Sequence, residues 1–464
     1  MAASPTRRHV LTALAALPFL FGAASPPTLK RRVPLVIRGG RVFIQGKLQP
    51  IDVGIGADGR IVLGALEGDR IHDATGKIVS PGFIDILADS GRAQRRVFEQ
   101  FKLADGVTTA LELHGGVGDA RRYYASTKSQ NHLVNHGVST KVMTIRGLYA
   151  SVAARLKQVE RCLEAGALAV SHSIEYQPAS FEELLQYARL AAKYDRPFFL
   201  HLRHSSRDRE IDGVEEAVRL AQQTGARVHL DHLHSTGGTW AMEKALDLIR
   251  RARESGHQMT CCVYPYSNWA TYIGSRRFDS GWRDRYGLSW ADLVVVGTGE
   301  HLTAESFAMY RSRGSKLVAV PEGTMDLART VDLALREDFC LIGSDGGIEH
   351  ERTANSHPRG AGCFATSLRR AEDTGLGLER MLQILCERPR ALLSPNVDDR
   401  GVIREGAWAD LVVFDATTIR SRATVYTPGR RSDGIDAVFV NGRLAYEGGV
   451  FRDSAGVGVK AMTA

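Results

Sequence analysis

The side chains best suited to chemistry in this sequence stand where short apolar runs end. Glu112 and His114 close the run that starts at Val107, His201 closes Pro197-Phe-Phe-Leu-His, and His232 and His234 follow Arg227-Val-His-Leu-Asp. Asp89 and Ser90 come just after Phe83-Ile-Asp-Ile-Leu, Arg203 lies two residues beyond His201, Tyr264 ends the run from Met259, and Asp345 follows Phe339-Cys-Leu-Ile-Gly. Imidazole and carboxylate together suit zinc or another divalent ion, whose charge turns a bound water into a nucleophile near neutral pH. A carboxylate facing such an ion can accept the water's proton and pass it to a leaving nitrogen. Alternation along a strand places His234 on the face of His232 and turns His229 towards the opposite side.

These groups need elements that bring several run ends to one point. Eight apolar runs read as strands, at 83–87, 107–113, 141–145, 167–171, 197–201, 227–232, 259–264 and 339–343, with amphipathic helices between several of them at 181–194, 213–224 and 241–255. Strands alternating with helices predict a parallel sheet, and eight repeats predict an α/β fold of the TIM type, a (β/α)8 barrel over 82–395. In such a barrel, reactive groups sit at the C-terminal ends of the strands. The stretch 268–338 exceeds what one crossover needs and is expected to be an insertion or lid. Glycine-punctuated alternating runs at 30–81 and again at 396–464 predict a small β-sandwich domain formed by both ends of the mature chain, since sheet edges need partners.

The first residues carry Arg7-Arg8 before an apolar stretch from Val10 to Ala24 that is too short to span a bilayer. Residues 1–24 therefore read as a signal peptide of the twin-arginine type, which implies a periplasmic or secreted protein with no stable membrane span after cleavage. Removing Arg7 and Arg8 takes the net charge from +8 to +6, spread along 464 residues, and no basic stripe with interleaved aromatics appears. Nucleic acid is excluded as a partner on that ground. The six cysteines show neither CxxC spacing nor a disulfide framework and are expected to be buried thiols.

The order of short motifs resembles the amidohydrolase superfamily, and within it the N-acyl-D-amino-acid deacylases (D-aminoacylases), over nearly the whole mature chain. The landmarks are Leu35-Val-Ile-Arg-Gly-Gly-Arg-Val, Pro81-Gly-Phe-Ile-Asp85, Gly106-Val-Thr-Thr109, Ile174-Glu-Tyr-Gln-Pro, His201-Leu-Arg203, Tyr264-Pro-Tyr266, Gly343-Ser-Asp345-Gly, His357-Pro-Arg359 and Ala409-Asp-Leu-Val-Val-Phe-Asp415. The resemblance implies that His201 and His232 are metal ligands on strands five and six, with His114 close to a further ligand position. It implies that Asp345 is the general base, and that Arg203, Tyr264 and Arg359 hold a substrate carboxylate. Asp89, Glu112 and His234 are additional candidates for the metal or for supporting its ligands. One departure is plain: where the family carries a His-x-His pair after Pro-Gly-Phe-Ile-Asp, this chain has Leu87-Ala88-Asp89.

The expected function is hydrolysis of a non-peptide amide C–N bond in a small N-acyl amino acid or related acylated amine, with one zinc per chain held by His114, His201 and His232. Two other readings stay open at this stage. One is a barrel that binds a ligand without hydrolysis; the other is a cyclic amidase, lyase or cyclase on the same fold, because fold does not fix function. The sequence does not specify the oligomeric state.

Overall fold

The computed structural model describes residues 30–90, 95–349, 356–452 and 456–462, so the predicted leader at 1–24 lies outside the described residues. Eight parallel strands run in sequential order: β1 (Phe83–Asp85), β2 (Val107–Val117), β3 (Asn135–Lys141), β4 (Val170–Ser173), β5 (Phe198–His201), β6 (Val228–Leu230), β7 (Met259–Val263) and β8 (Cys340–Ile342). Strands buried on both faces explain the unbroken apolar runs. One side of each strand packs on the surrounding helices. The other fills the barrel with Ile84, Leu111, Phe199, Cys262 and Leu341, and Leu392, Leu393, Val459 and Ala461 join that cluster.

The helices follow from their apolar spacing. Helix Phe181–Lys193 buries Leu184, Tyr187, Ala188 and Ala191, positions that fall on one stripe, and Ser180 caps it by accepting the Glu183 N–H at 3.2 Å. The run at 141–145 proves to be the start of a helix, Val142–Leu148, and the third strand lies just before it. That strand escaped an apolar-run search because its side chains Asn135, Ser139 and Thr140 are buried polar groups. Asn135 Nδ2 donates to Asp410 Oδ2 at 3.0 Å, and Ser139 Oγ lies 2.9 Å from Ser171 Oγ.

Outside the barrel, a seven-stranded sheet mixes segments from both ends of the chain: Leu411–Phe414 pairs with Ile78–Pro81 on one side and with Ile435–Val440 on the other. A four-stranded sheet built around Arg31–Arg38 packs with it through Ile37, Val53, Val79 and Val413. Between β7 and β8 the insertion forms its own sheet, with Ala270–Tyr272, Leu317–Ala319, Val294–Val295 and Glu300–His301, over a core containing Trp269, Phe278, Trp282 and Phe307. All six cysteines are buried and unpaired. Among the described residues no helix is long and apolar enough to cross a membrane.

The barrel closes at β1 and β8 by side chains more than by a ladder. A single bridge joins Ala88 to Gly346. Below it Lys102 Nζ donates to Asp85 Oδ2 at 2.8 Å, to Ser344 Oγ at 2.9 Å and to Gly346 O at 2.9 Å, while Ser344 N–H donates to Asp85 Oδ1 at 3.0 Å. Lys102 and Asp85 are 2% and 0% exposed, so each is the other's compensation. Lys102→Met is expected to leave the buried Asp85 carboxyl without its counter-ion, at a cost of about 3–5 kcal/mol in unfolding free energy measured by denaturant titration. A loss below about 1 kcal/mol would show that the pair does not hold the seam.

Candidate active site

His114 from β2, His201 at the end of β5 and His232 just past β6 meet at the barrel mouth. One ligand-capable nitrogen from each lies within 4.8 Å of the others, and among the described residues this is the one cluster of three or more His, Cys, Asp or Glu side chains able to hold an ion. The outward nitrogen of every ring is engaged. His114 Nδ1 is 2.7 Å from Asp231 Oδ2, His201 Nε2 is 2.8 Å from Glu175 Oε2, and His232 Nδ1 is 3.1 Å from Ser235 Oγ. The Ser235 hydroxyl donates to the His232 carbonyl at 3.0 Å, which leaves its oxygen to accept the Nδ1–H. These partners fix the tautomers and leave His114 Nε2, His201 Nδ1 and His232 Nε2 as lone-pair donors. Fixing a ring by a second partner is how metal-ligating histidines are commonly held.

The donor set fits zinc. His201 Nδ1 and His232 Nε2 are 3.3 Å apart, which is the edge of a tetrahedron with bonds of about 2.0–2.1 Å. Burial lowers the pKa of His201, with Glu175 opposing it, and lowers that of His232 much further, helped by the neighbouring imidazoles. Both are neutral at neutral pH with lone pairs available. For His114 burial acts in the same direction, but the charge and hydrogen bond of Asp231 outweigh it and raise the pKa.

Asp345 stands on the open side of the triad, its Oδ2 3.9 Å from His232 Nε2. Arg359 grips it twice, with Nη2 2.7 Å from Oδ2 and Nε donating to the Asp345 carbonyl at 2.8 Å, while Nη1 is buried without a partner among the described residues. Asp345 and His232 both adopt positive φ, +47° and +29°. Such backbone costs about 1–3 kcal/mol and is held by its surroundings; for His232 part of that hold is its own N–H donating to Cys262 Sγ at 3.2 Å. A cavity of about 160 Å³ opens here, lined by the three histidines, Asp345, Arg359 and Asp89 among others.

Several sequence candidates lie elsewhere. The alternation argument fails for His234 because β6 ends at Leu230 and the chain turns through a 3-10 helix, Leu233–Ser235. His234 is buried with its ring 4.1 Å from that of Tyr264, away from the cavity lining. His229 does not turn to the opposite side: its ring packs 4.4 Å from Phe199, and its Nδ1 is 2.8 Å from Thr260 Oγ1. Arg203 forks onto Glu216, with bonds of 2.8–3.2 Å, and onto Ala179 O, so it braces a helix instead of a substrate. β5 has ended at His201, and the chain has turned Arg203 outward. Tyr264 supports Arg359, whose guanidinium lies 4.5 Å from its ring centre, without lining the cavity. Glu112 accepts from Ser90 at 2.9 Å outside the cavity, and burial together with nearby Asp89 pushes its carboxyl up to about 7. Leu87 is fully buried and offers no ligand, whereas Asp89 reaches the cavity wall.

The sequence reading missed Glu175, Asp231, Ser235 and Arg277. Asp231 adjoins His232 and Glu175 sits inside a motif quoted above, so their chemistry was visible, though their orientation was not. Arg277 belongs to the insertion, where no periodicity points to the site.

No protein-family model matches the chain. An N-acyl-D-glutamate deacylase of Alcaligenes xylosoxydans xylosoxydans is 29% identical over 469 residues, covering 89% of this chain and 94% of that protein. The chain is thus similar to an N-acyl-D-amino-acid deacylase over most of its length. Among solved structures, the Bordetella bronchiseptica N-acyl-D-glutamate deacylase, complexed with zinc and a phosphonate mimic of the tetrahedral intermediate, superimposes with a TM-score of 0.78 at 24% identity, over 93% of this chain and 100% of that one. D-aminoacylase, whose structure defines a subset of amidohydrolases, gives 0.78 at 22% over the same shares, and its binuclear metal centre shows one-metal activation and second-metal attenuation.

His201→Ala and His232→Ala are each expected to weaken zinc binding by more than the roughly 10–100-fold typical of losing an outer hydrogen-bond partner, measured by chelator competition. Unchanged zinc affinity in either variant would remove that residue from the ligand set.

Proposed function

We propose that this protein is a zinc-dependent hydrolase that cleaves the amide C–N bond of small N-acyl-D-amino acids, with one zinc per chain. The observation that carries the reading is the convergence of three tautomer-fixed imidazole lone pairs on a point faced by Asp345. A zinc ion held by His114, His201 and His232 would supply Lewis acidity, polarising the substrate carbonyl and acidifying a water. The one-metal activation of D-aminoacylase supports the mononuclear form, and so does the absence of imidazoles at Leu87 and Asp89.

The chain's own residues do the rest. Asp345 takes the proton of the attacking water and returns it to the departing nitrogen, so that amide and water yield a carboxylate and an amine. Arg359 holds one Asp345 oxygen and the adjacent carbonyl, which fixes the direction of that transfer. Its Nη1 is a charged donor with no partner among the described residues, suited to a substrate carboxylate. Tyr264 beneath it keeps the guanidinium plane in place. The acylated D-amino acids that the relatives act on carry both groups this arrangement meets, an amide and a carboxylate. A barrel that only binds a ligand has no use for three oriented imidazoles opposite a strained carboxylate.

Amine release is to be followed with panels of N-acyl-D- and N-acyl-L-amino acids, alongside zinc content per chain. Asp345→Asn is expected to retain zinc and substrate affinity while kcat falls by about 10²–10⁴-fold, the usual worth of a positioned general base. Normal turnover by the zinc-loaded variant would overturn the role of Asp345, and turnover restricted to L-substrates would overturn the substrate class.

A further inference from the structure

The insertion between β7 and β8 sends one residue down to the histidines. Arg277 is 3% exposed, and its guanidinium lies 4.6 Å from the ring centre of Trp269, in the aromatic core that also holds Phe278 and Tyr286. Its Nε donates to Glu175 Oε2 at 3.0 Å, the same oxygen that lies 2.8 Å from His201 Nε2. Its Nη2 donates to the Ser235 carbonyl at 2.7 Å, and Ser235 Oγ is the partner of His232 Nδ1. One guanidinium therefore ties together the outer hydrogen bonds of two of the three histidines.

We propose that Arg277 is a positioning residue through which the seating of the insertion sets the metal affinity of His201 and His232. The inference rests on the reading of the three histidines as zinc ligands. Glu175 is nearly buried, and a carboxylate there needs a cation as well as hydrogen-bond donors. Arg277 supplies the charge, and Ser205 Oγ donates to the other carboxylate oxygen. The ring of His201 is thus anchored to an acceptor that is itself held in a fixed place. The planar fork matters as much as the charge, because it reaches Glu175 and Ser235 at once from a face stacked on Trp269, and a lysine ammonium can serve only part of that geometry. Another cation within the insertion, Arg311, bonds to Ile273 O, Ser275 O and Asp279 and makes no bond to Glu175. It separates a direct brace from general loosening of the insertion.

The test is zinc affinity by chelator competition on the full chain, with the visible spectrum of the cobalt-substituted protein as a report on ligand geometry and thermal melting as a check on folding. R277M is expected to weaken zinc binding by about 10–100-fold and to shift the cobalt bands, R277K to recover part of the loss, and R311M to stay within about twofold of the parent. Should R277M fail to fold, E175Q is read in its place, with the same loss of affinity and the same spectral shift expected. Parental affinity and spectrum in R277M or E175Q would overturn the proposal, as would an equal loss in R311M. If the parent protein itself binds no zinc, or H201A binds it equally well, the metal-site reading fails, an outcome distinct from the failure of the brace alone.

Discussion

Three imidazoles can serve one ion only if each presents a lone pair to it, and that condition governs much of the architecture. A buried ring left free to rotate or change tautomer would spend part of its time offering an N–H. Each ring is therefore pinned through its far nitrogen, by Asp231, Glu175 and Ser235. Pinning with carboxylates in a buried place creates a second requirement, since an ion out of water must be compensated. Glu175 draws Arg277 down from the insertion, and Asp231 is met by His114 itself. The insertion is thus part of the site's electrostatics as well as its cover.

The same reasoning connects the barrel seam to Asp345. Asp345 occupies a backbone conformation that few non-glycine residues adopt, and its neighbours on both sides are tied to one buried pair. Ser344 bonds to Asp85 through its N–H and its hydroxyl, and the Gly346 carbonyl accepts from Lys102. The aspartate of Pro81-Gly-Phe-Ile-Asp85 therefore acts at a distance: it makes β8 end in a fixed place, so that Asp345 leaves the strand pointing at the histidines. Arg359 then holds the carboxylate from the opposite side.

What was legible in the sequence were features with local signatures. Seven of the eight barrel strands coincide with apolar runs, because strands buried on both faces have little other composition open to them. The third was hidden because Asn135 and Ser139 are polar groups whose partners, Asp410 and Ser171, are distant in sequence. The three histidines that meet at the mouth were found by the rule that strands deliver reactive groups at their C-terminal ends, and that rule weakens once the strand stops. His234 and Arg203 lie two residues beyond His232 and His201, where alternation no longer holds: one turned into a buried contact with Tyr264 and the other onto Glu216. Glu175 and Arg277 show a different limit. Their importance lies in a hydrogen bond made across 102 residues of chain, and no spacing rule encodes it.

The leucine at position 87 is intelligible on the same physical terms. Leu87 packs in the apolar interior with Ile84 and Leu111, and a Cβ placed on Gly343 would meet its Cβ at 2.9 Å. The side chain has become part of the joint between β1 and β8, a place where an imidazole would have to find polar partners that the surrounding leucines do not offer. The three histidines stand on β2, at the end of β5 and just past β6, and Asp345 lies just beyond β8, so none of their hydrogen bonds depends on the side chain at position 87. A barrel that distributes its polar groups over separate strands can fill its seam with hydrophobic packing and keep a histidine cluster intact at its mouth.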